Sequence, residues 1–321
     1  MNDAESQHTS VLLSARQLLP ITYLALTIPC VLAILSLVTV TIVLSTGSLY
    51  NYSVERVFAL GRDVGFDGIE VLVDRRWDTR QADYLRSLSE AFRLPVLSLH
   101  TPFELHIHGW EENPVMRVQR TVALARALGA RVVVAHLPHR WHWLSITSTW
   151  LDSRRLRMPV LWPAGQAYAS WLSQGLDDMP VQDGVQVAVE NMPARWLLGR
   201  RVNPWRFNNV QDLIRFKALV LDTTHLGTWG MDILAIYERL KARIVHLHLS
   251  DYDGREYRLP GQGHLPLAEL LRRMSSDGFR GLIAVETCPE ALGAGDDGRV
   301  RLGLSDALRF CRQQFPGGGA S

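Results

Sequence analysis

Residues 243–251 run Arg-Ile-Val-His-Leu-His-Leu-Ser-Asp, an apolar stretch carrying two histidines two positions apart. Alternation along a strand sends residues i and i+2 to the same face, so His246 and His248 point together. The branched aliphatic residues around them suit a strand covered on both faces. Seven other runs of this kind occur at about 38–45, 67–73, 94–99, 131–136, 185–190, 217–222 and 281–286. Amphipathic stretches separate them. Residues 53–64 open with Ser53 as a cap and carry Val54, Val57, Phe58 and Leu60 at helical spacing. Others fall at about 79–93, 114–129, 163–177, 208–216, 230–241, 266–278 and 303–314. Gly65, Gly129 and Gly278 stand where left-handed helix caps belong. Eight strand–helix alternations predict a single (β/α)8 TIM barrel over residues 38–321, preceded by an apolar N-terminal extension, 1–37. An open doubly wound sheet would show the same alternation, but no GxGxxG follows the first strand.

The chain has 321 residues and a formal charge of +2, too small a charge to imply nucleic-acid binding by itself. Positive charge is almost all arginine; the two lysines, Lys217 and Lys241, fall near the starts of strands six and seven, the wrong end of a barrel for Schiff-base chemistry. No GxSxG or Walker loop is present. Cys30, Cys288 and Cys311 are odd in number and far apart, which predicts a reducing, cytoplasmic setting. From Leu18 to Leu44 no residue is charged. Residues 17–37 are therefore read as a membrane anchor tethering the protein, as a mis-set start or removed segment, or as a helix closing the barrel bottom.

In such a barrel the chemistry belongs to the C-terminal strand ends. Strand two carries Glu70, strand three ends in His100, strand four in His136, strand five in Glu190-Asn191, strand six in Asp222-Thr-Thr-His225, strand seven in His248 and strand eight in Glu286. A lone strand-end histidine is ordinarily a satisfied structural residue. Acids and imidazoles from seven strands at one barrel mouth need a shared positive partner, and a divalent cation is the economical one. Mixed carboxylate and imidazole donors suit Zn²⁺, Mn²⁺, Fe²⁺ or Co²⁺ better than Ca²⁺, with Mg²⁺ a further option. His248 is nearer the catalytic end; His246 is assigned to packing or support behind the ligands.

Ser45-Thr-Gly-Ser-Leu-Tyr50, Gly65-Phe-Asp-Gly-Ile-Glu70, His248-Leu-Ser-Asp251, Pro260-Gly-Gln-Gly263 and Glu286, in that order, resemble the xylose isomerase-like barrel superfamily. That group includes sugar isomerases and epimerases and the type IV apurinic endonucleases. The resemblance implies a four-ligand metal site of Glu190, Asp222, His248 and Glu286. It also implies that His100, His136 and His225 correspond to further metal ligands of the endonuclease branch. The Asp-x-His which that branch places before its Gly-x-Gly loop is here Arg255-Glu-Tyr257. A complete trinuclear cluster is therefore not expected, while one or two metals are.

The leading expectation is isomerisation or epimerisation of a sugar or sugar phosphate by proton transfer beside a carbonyl, a divalent ion stabilising enediolate charge. Glu190 and Glu286 would act as base and acid on two faces of the carbon, their alternative being ligation alone. His136 and His225 bind substrate, carry protons or ligate; Asn191 orients Glu190; Glu70 contacts a substrate hydroxyl or pairs with an arginine. The competing expectation is a phosphodiesterase on abasic DNA. It rests on two long connections, 139–162 and 192–208, which hold Arg140, Arg154, Arg155, Arg157, Arg195, Arg200, Arg201 and Arg206 among six tryptophans. The same loops suit a lid over an anionic sugar, with Arg195, Arg200, Arg201 and Arg206 gripping phosphate, or an interface in a homo-oligomer.

Overall fold

The computed structural model describes residues 40–104, 107–147, 155–175 and 184–315. Eight parallel strands close into a barrel: β1 (Thr41–Ser45), β2 (Gly68–Leu72), β3 (Val96–His100), β4 (Val132–Ala135), β5 (Gln186–Glu190), β6 (Leu219–Asp222), β7 (Ile244–Leu249) and β8 (Leu282–Val285). Closure is made at β1, which pairs Leu44 with Val285 of β8 and Ser45 with Glu70 of β2. The fold is the (β/α)8 barrel expected from the alternation. Residues 1–37, with their proposed anchor, lie outside the described residues. Among the described residues no helix is long and apolar enough to cross a membrane.

Local chemistry sets the helix ends. Ser53 accepts from the Arg56 amide at the start of α1 (Val54–Val64), and Gly65 ends it at φ 94°. Asn113 accepts from Val115 and Met116 before α3 (Pro114–Leu128), with Pro114 in the first turn; α2 (Ala82–Phe92) lies between them. The helices cover the outer sheet face with a continuous apolar layer that includes Leu44, Val57, Phe58, Ile69, Leu99, Val133, Leu247, Ile283 and Leu304. A second, separate cluster consists of Val132, Val134, Ala188, Ala218, Val220 and Leu282. Period-two alternation puts it on the inner face, one pleat below His136, Glu190 and Asp222. The barrel is thus plugged by small apolar side chains, and its polar layer sits on that floor.

The two long connections are not open loops. Trp141–Thr147 pairs antiparallel with Arg155–Pro163, and Arg195–Leu197 with Arg200–Val202. The stretch expected as a helix at 163–177 is a short α-helix, Gln166–Ser170, followed by a π turn to Gly175. A seven-residue helix, Thr223–Trp229, follows β6 at once, although these residues carry no amphipathic period.

Candidate metal centre

Four strands bring Glu190, Asp222, His248 and Glu286 together, and one ligand atom from each lies within 4.8 Å of the other three. His248 Nδ1 is 2.9 Å from Glu190 Oε1 and 2.9 Å from Glu286 Oε2, with Asp222 Oδ2 at 3.9 Å. Solvent reaches these groups unequally. Glu190 is 1% exposed and Asp222 and His248 are closed off, whereas the Glu286 side chain is 15% exposed.

The electrostatics of this cluster call for a cation. Burial together with the Glu190 and Glu286 carboxylates pushes the Asp222 carboxyl well above its ordinary range. Burial opposes ionisation of Glu190 too, but His248, His100 and His136 around it hold its carboxyl well below the usual range. Two buried oxygens, Glu190 Oε2 and Asp222 Oδ2, accept no hydrogen bond. The other Asp222 oxygen accepts the His225 amide at 2.8 Å and so caps the following helix. An ionised carboxylate oxygen sealed from water without a donor is costly, and a divalent ion among these four side chains removes that cost. The donor set fits such an ion.

A second group, His100, His136 and Glu190, also places its ligand atoms within 4.8 Å of one another. His100 Nδ1 donates to the Thr101 carbonyl at 2.8 Å, which turns its Nε2 towards His136 Nε2 at 3.1 Å. Glu190 Oε2 is 3.0 Å from His136 Nε2 and 3.5 Å from His100 Nε2, close but not aligned for hydrogen bonding. His136 is 23% exposed, and Phe103 stacks beside it at 6.3 Å.

His225 takes a different place. Its Nδ1 donates to the Asn191 carbonyl at 2.8 Å, and burial pushes its pKa down to about 4. The neutral ring therefore accepts at Nε2 from the Tyr257 hydroxyl, 3.0 Å away. Tyr257, singled out in the sequence only as a missing ligand, is thus part of the site. No local pattern could have placed it; the turn Asp251–Arg258 does so, through the paired backbone bonds between those two residues. Asp251 also holds the following glycine loop, accepting from the amides of Gly261 and Leu265, both at 3.0 Å.

Two sequence expectations are corrected. Asn191 does not orient Glu190: its side chain exchanges two hydrogen bonds with the Asp222 backbone and clamps β5 to β6. Glu70 meets neither an arginine nor the open mouth; it is buried one layer down against Ser98, His246 and His248. His246 packs inside the barrel beside it, as expected.

The loop arginines are largely engaged in structure. Arg206 Nε donates to the Ala164 carbonyl and Arg140 Nε to that of Trp205, which joins the connections after β4 and β5. Arg201 donates to the Trp229 carbonyl and lies over the Trp196 ring. Arg195 stands 3.8 Å from Glu256, and Arg200 is exposed on its hairpin. Arg154 and Trp150 lie outside the described residues. Arg255 folds back onto Asp253 at 2.7 Å, away from any ligand role.

A closed parallel barrel with its acids and imidazoles at the C-terminal mouth defines the class. The sequence profile of the xylose isomerase-like TIM barrel family matches residues 58–313, and the chain belongs to that family. A Mycobacterium tuberculosis protein described as uncharacterized is 28% identical over 299 residues, covering 84% of this chain and 95% of its own. Among solved structures, D-allulose 3-epimerase from Methylomonas sp. superposes with TM-score 0.59 at 14% identity, over 86% of this chain and 97% of that one. An AP endonuclease, family 2, from Brucella melitensis gives 0.54 at 17% identity, over 78% and 93%. These two structural likenesses are of fold.

Proposed function

We propose that the chain is a divalent-metal-dependent isomerase or epimerase of a sugar or sugar phosphate, moving a proton at the carbon beside a carbonyl. The observation that carries this reading is the convergence of Glu190, Asp222, His248 and Glu286, with two sealed carboxylate oxygens that no N–H or O–H satisfies. A divalent ion held there supplies charge stabilisation at substrate oxygens. Glu286, the most open of the four, takes and returns the proton on one side of the substrate carbon, and Glu190 does so on the other. His136 and the Tyr257 hydroxyl, both at the partly open side, bind substrate oxygens, and His225 fixes the phenol. A sugar rather than a nucleic acid is supported by Arg140, Arg201 and Arg206, which spend N–H groups on backbone carbonyls, and by Arg255, which pairs with Asp253.

The test is metal analysis of the purified protein, followed by assay of the same preparation on ketoses, aldoses and their phosphates in D₂O. The expected result is chelator-sensitive incorporation of solvent deuterium beside the carbonyl of at least one sugar. Metal-dependent nicking of abasic-site DNA, with no exchange in any sugar, would overturn the reading.

A further inference from the structure

Below the candidate ligands lies a set of polar groups that the proposed reaction does not use. Glu70, Ser98 and His246, from β2, β3 and β7, are each 0% exposed. Glu70 Oε2 accepts from the Ser98 hydroxyl at 2.8 Å and lies 2.7 Å from His246 Nε2. The other nitrogen of His246 donates to the Leu282 carbonyl at 3.1 Å. Both partners of Oε2 are therefore anchored in the barrel wall, and the carboxylate plane is fixed.

Its second oxygen faces upward. Glu70 Oε1 makes no hydrogen bond, and neither does His248 Nε2; the two buried atoms are 3.3 Å apart. On the other side of the same ring, Nδ1 looks at Glu190, Glu286 and Asp222. A neutral imidazole that ligates through Nδ1 keeps its proton on Nε2, and the acceptor facing that proton is Glu70 Oε1.

We infer that Glu70 is a positioning residue which, through His248 Nε2–H, holds the imidazole in the tautomer and orientation that turn Nδ1 to the metal. The inference rests on the metal reading above. Ser98 and His246 act on Glu70 in turn, so a chain of buried hydrogen-bonding groups runs from the Leu282 carbonyl to the ligand ring. Removing a carboxylate behind a ligating histidine lowers metal affinity about 10–100-fold. A Glu70 serving the core alone would change folding stability and leave affinity untouched.

The experiment is calorimetric titration of the chelator-treated full chain with Co²⁺, alongside the visible absorption of the Co²⁺ complex. Glu70→Gln should bind about 10–100-fold more weakly than wild type, with shifted absorption bands. Glu70→Asp, which keeps a carboxylate at shorter reach, should fall between them. Wild-type affinity and spectrum in Glu70→Gln, with only the melting temperature lowered, would remove the positioning role while leaving the metal reading intact. A wild-type chain that binds no Co²⁺ would remove both. A second measurement does not depend on a variant with a changed core. In ¹⁵N-histidine-labelled wild type loaded with Zn²⁺, the ring identified by its loss in His248→Gln should carry metal on Nδ1 and a proton on Nε2. Ligation of that ring through Nε2 would overturn the inference.

Discussion

Tyr257 carries its phenol to His225 from a backbone with φ 61°, a conformation that costs an aromatic residue about 1–3 kcal/mol. The turn holds it there: the Tyr257 amide donates to the Thr224 hydroxyl at 3.1 Å, and its carbonyl accepts the Cys288 amide at 3.0 Å. Such strain persists only where surrounding bonds over-determine it, which fits a residue delivering one hydroxyl to one place. Tyr257→Phe should keep the fold and metal content and lower kcat roughly tenfold, the worth of one hydrogen bond of about 1–1.5 kcal/mol. Steady-state kinetics with metal analysis on one preparation checks this. Glu286→Gln should lower turnover by roughly 10²-fold or more; deuterium exchange at the wild-type rate would refute the two-glutamate proton transfer. Asp253, in the same turn, is held at about 2 by hydrogen bonds from Arg255, helped by the charges of Arg255 and Arg258. Its contribution is complete above its ordinary 3.8 and is lost as pH falls through about 2. Asp253→Asn should flatten that part of an acid titration followed by Tyr257-region NMR shifts.

At the scale of elements, strand register decides which residues reach the mouth. Gly68 begins β2, where a Cβ would lie 2.8 Å from the Pro95 carbonyl oxygen and 2.7 Å from the Leu97 side chain. The strand therefore sits closer to β3 there than any other residue permits, and the register with β3 shifts between Ile69 and Glu70, which sets Glu70 opposite Ser98. Gly68→Ala should destabilise the barrel by about 1–3 kcal/mol, read as a lower midpoint in urea. The connections after β4 and β5 behave as one unit. Trp205 is buried at 6%, stacks on His139 at 4.0 Å and donates its indole N–H to the Pro193 carbonyl. This favours packing over substrate contact for Trp205, whereas Trp196 at 62% exposed remains on the surface of its hairpin. The sequence did not show these hairpins, because no Asn-Gly or Asp-Gly marks either turn; between Leu197 and Arg200 the positive-φ residues are Leu198 at 49° and Gly199 at 76°.

For the whole molecule, the four proposed ligands stand at the ends of β5, β6, β7 and β8, so an ion held there would tie together half the barrel circumference and only in the folded state. At metal a hundredfold above its dissociation constant, linkage adds about 2.7 kcal/mol. In a barrel of this size that corresponds to a rise of roughly 4–6 °C in melting temperature. Chelation should reverse the shift, and Asp222→Asn should abolish most of it; thermal scans with and without chelator provide the check.

The barrel was legible in the sequence because its signals are local: apolar runs of strand length, capped amphipathic helices and glycine at left-handed ends. The convergence of Glu190, Asp222, His248 and Glu286 was legible too, since each stands at a strand end, where topology alone sends side chains to one mouth. What tertiary structure decided is the partner of each group. Glu70 and Glu190 are both strand acids, but layer position places one behind His248 and the other beside it. Asn191 and Arg206 look equally available in sequence, and both are taken up by backbone groups on neighbouring segments. Tyr257 reaches His225 only because its turn packs on the segment after β6. These distinctions depend on which buried polar atom meets which, a matter of a few ångströms across separate strands that no periodicity along one segment encodes.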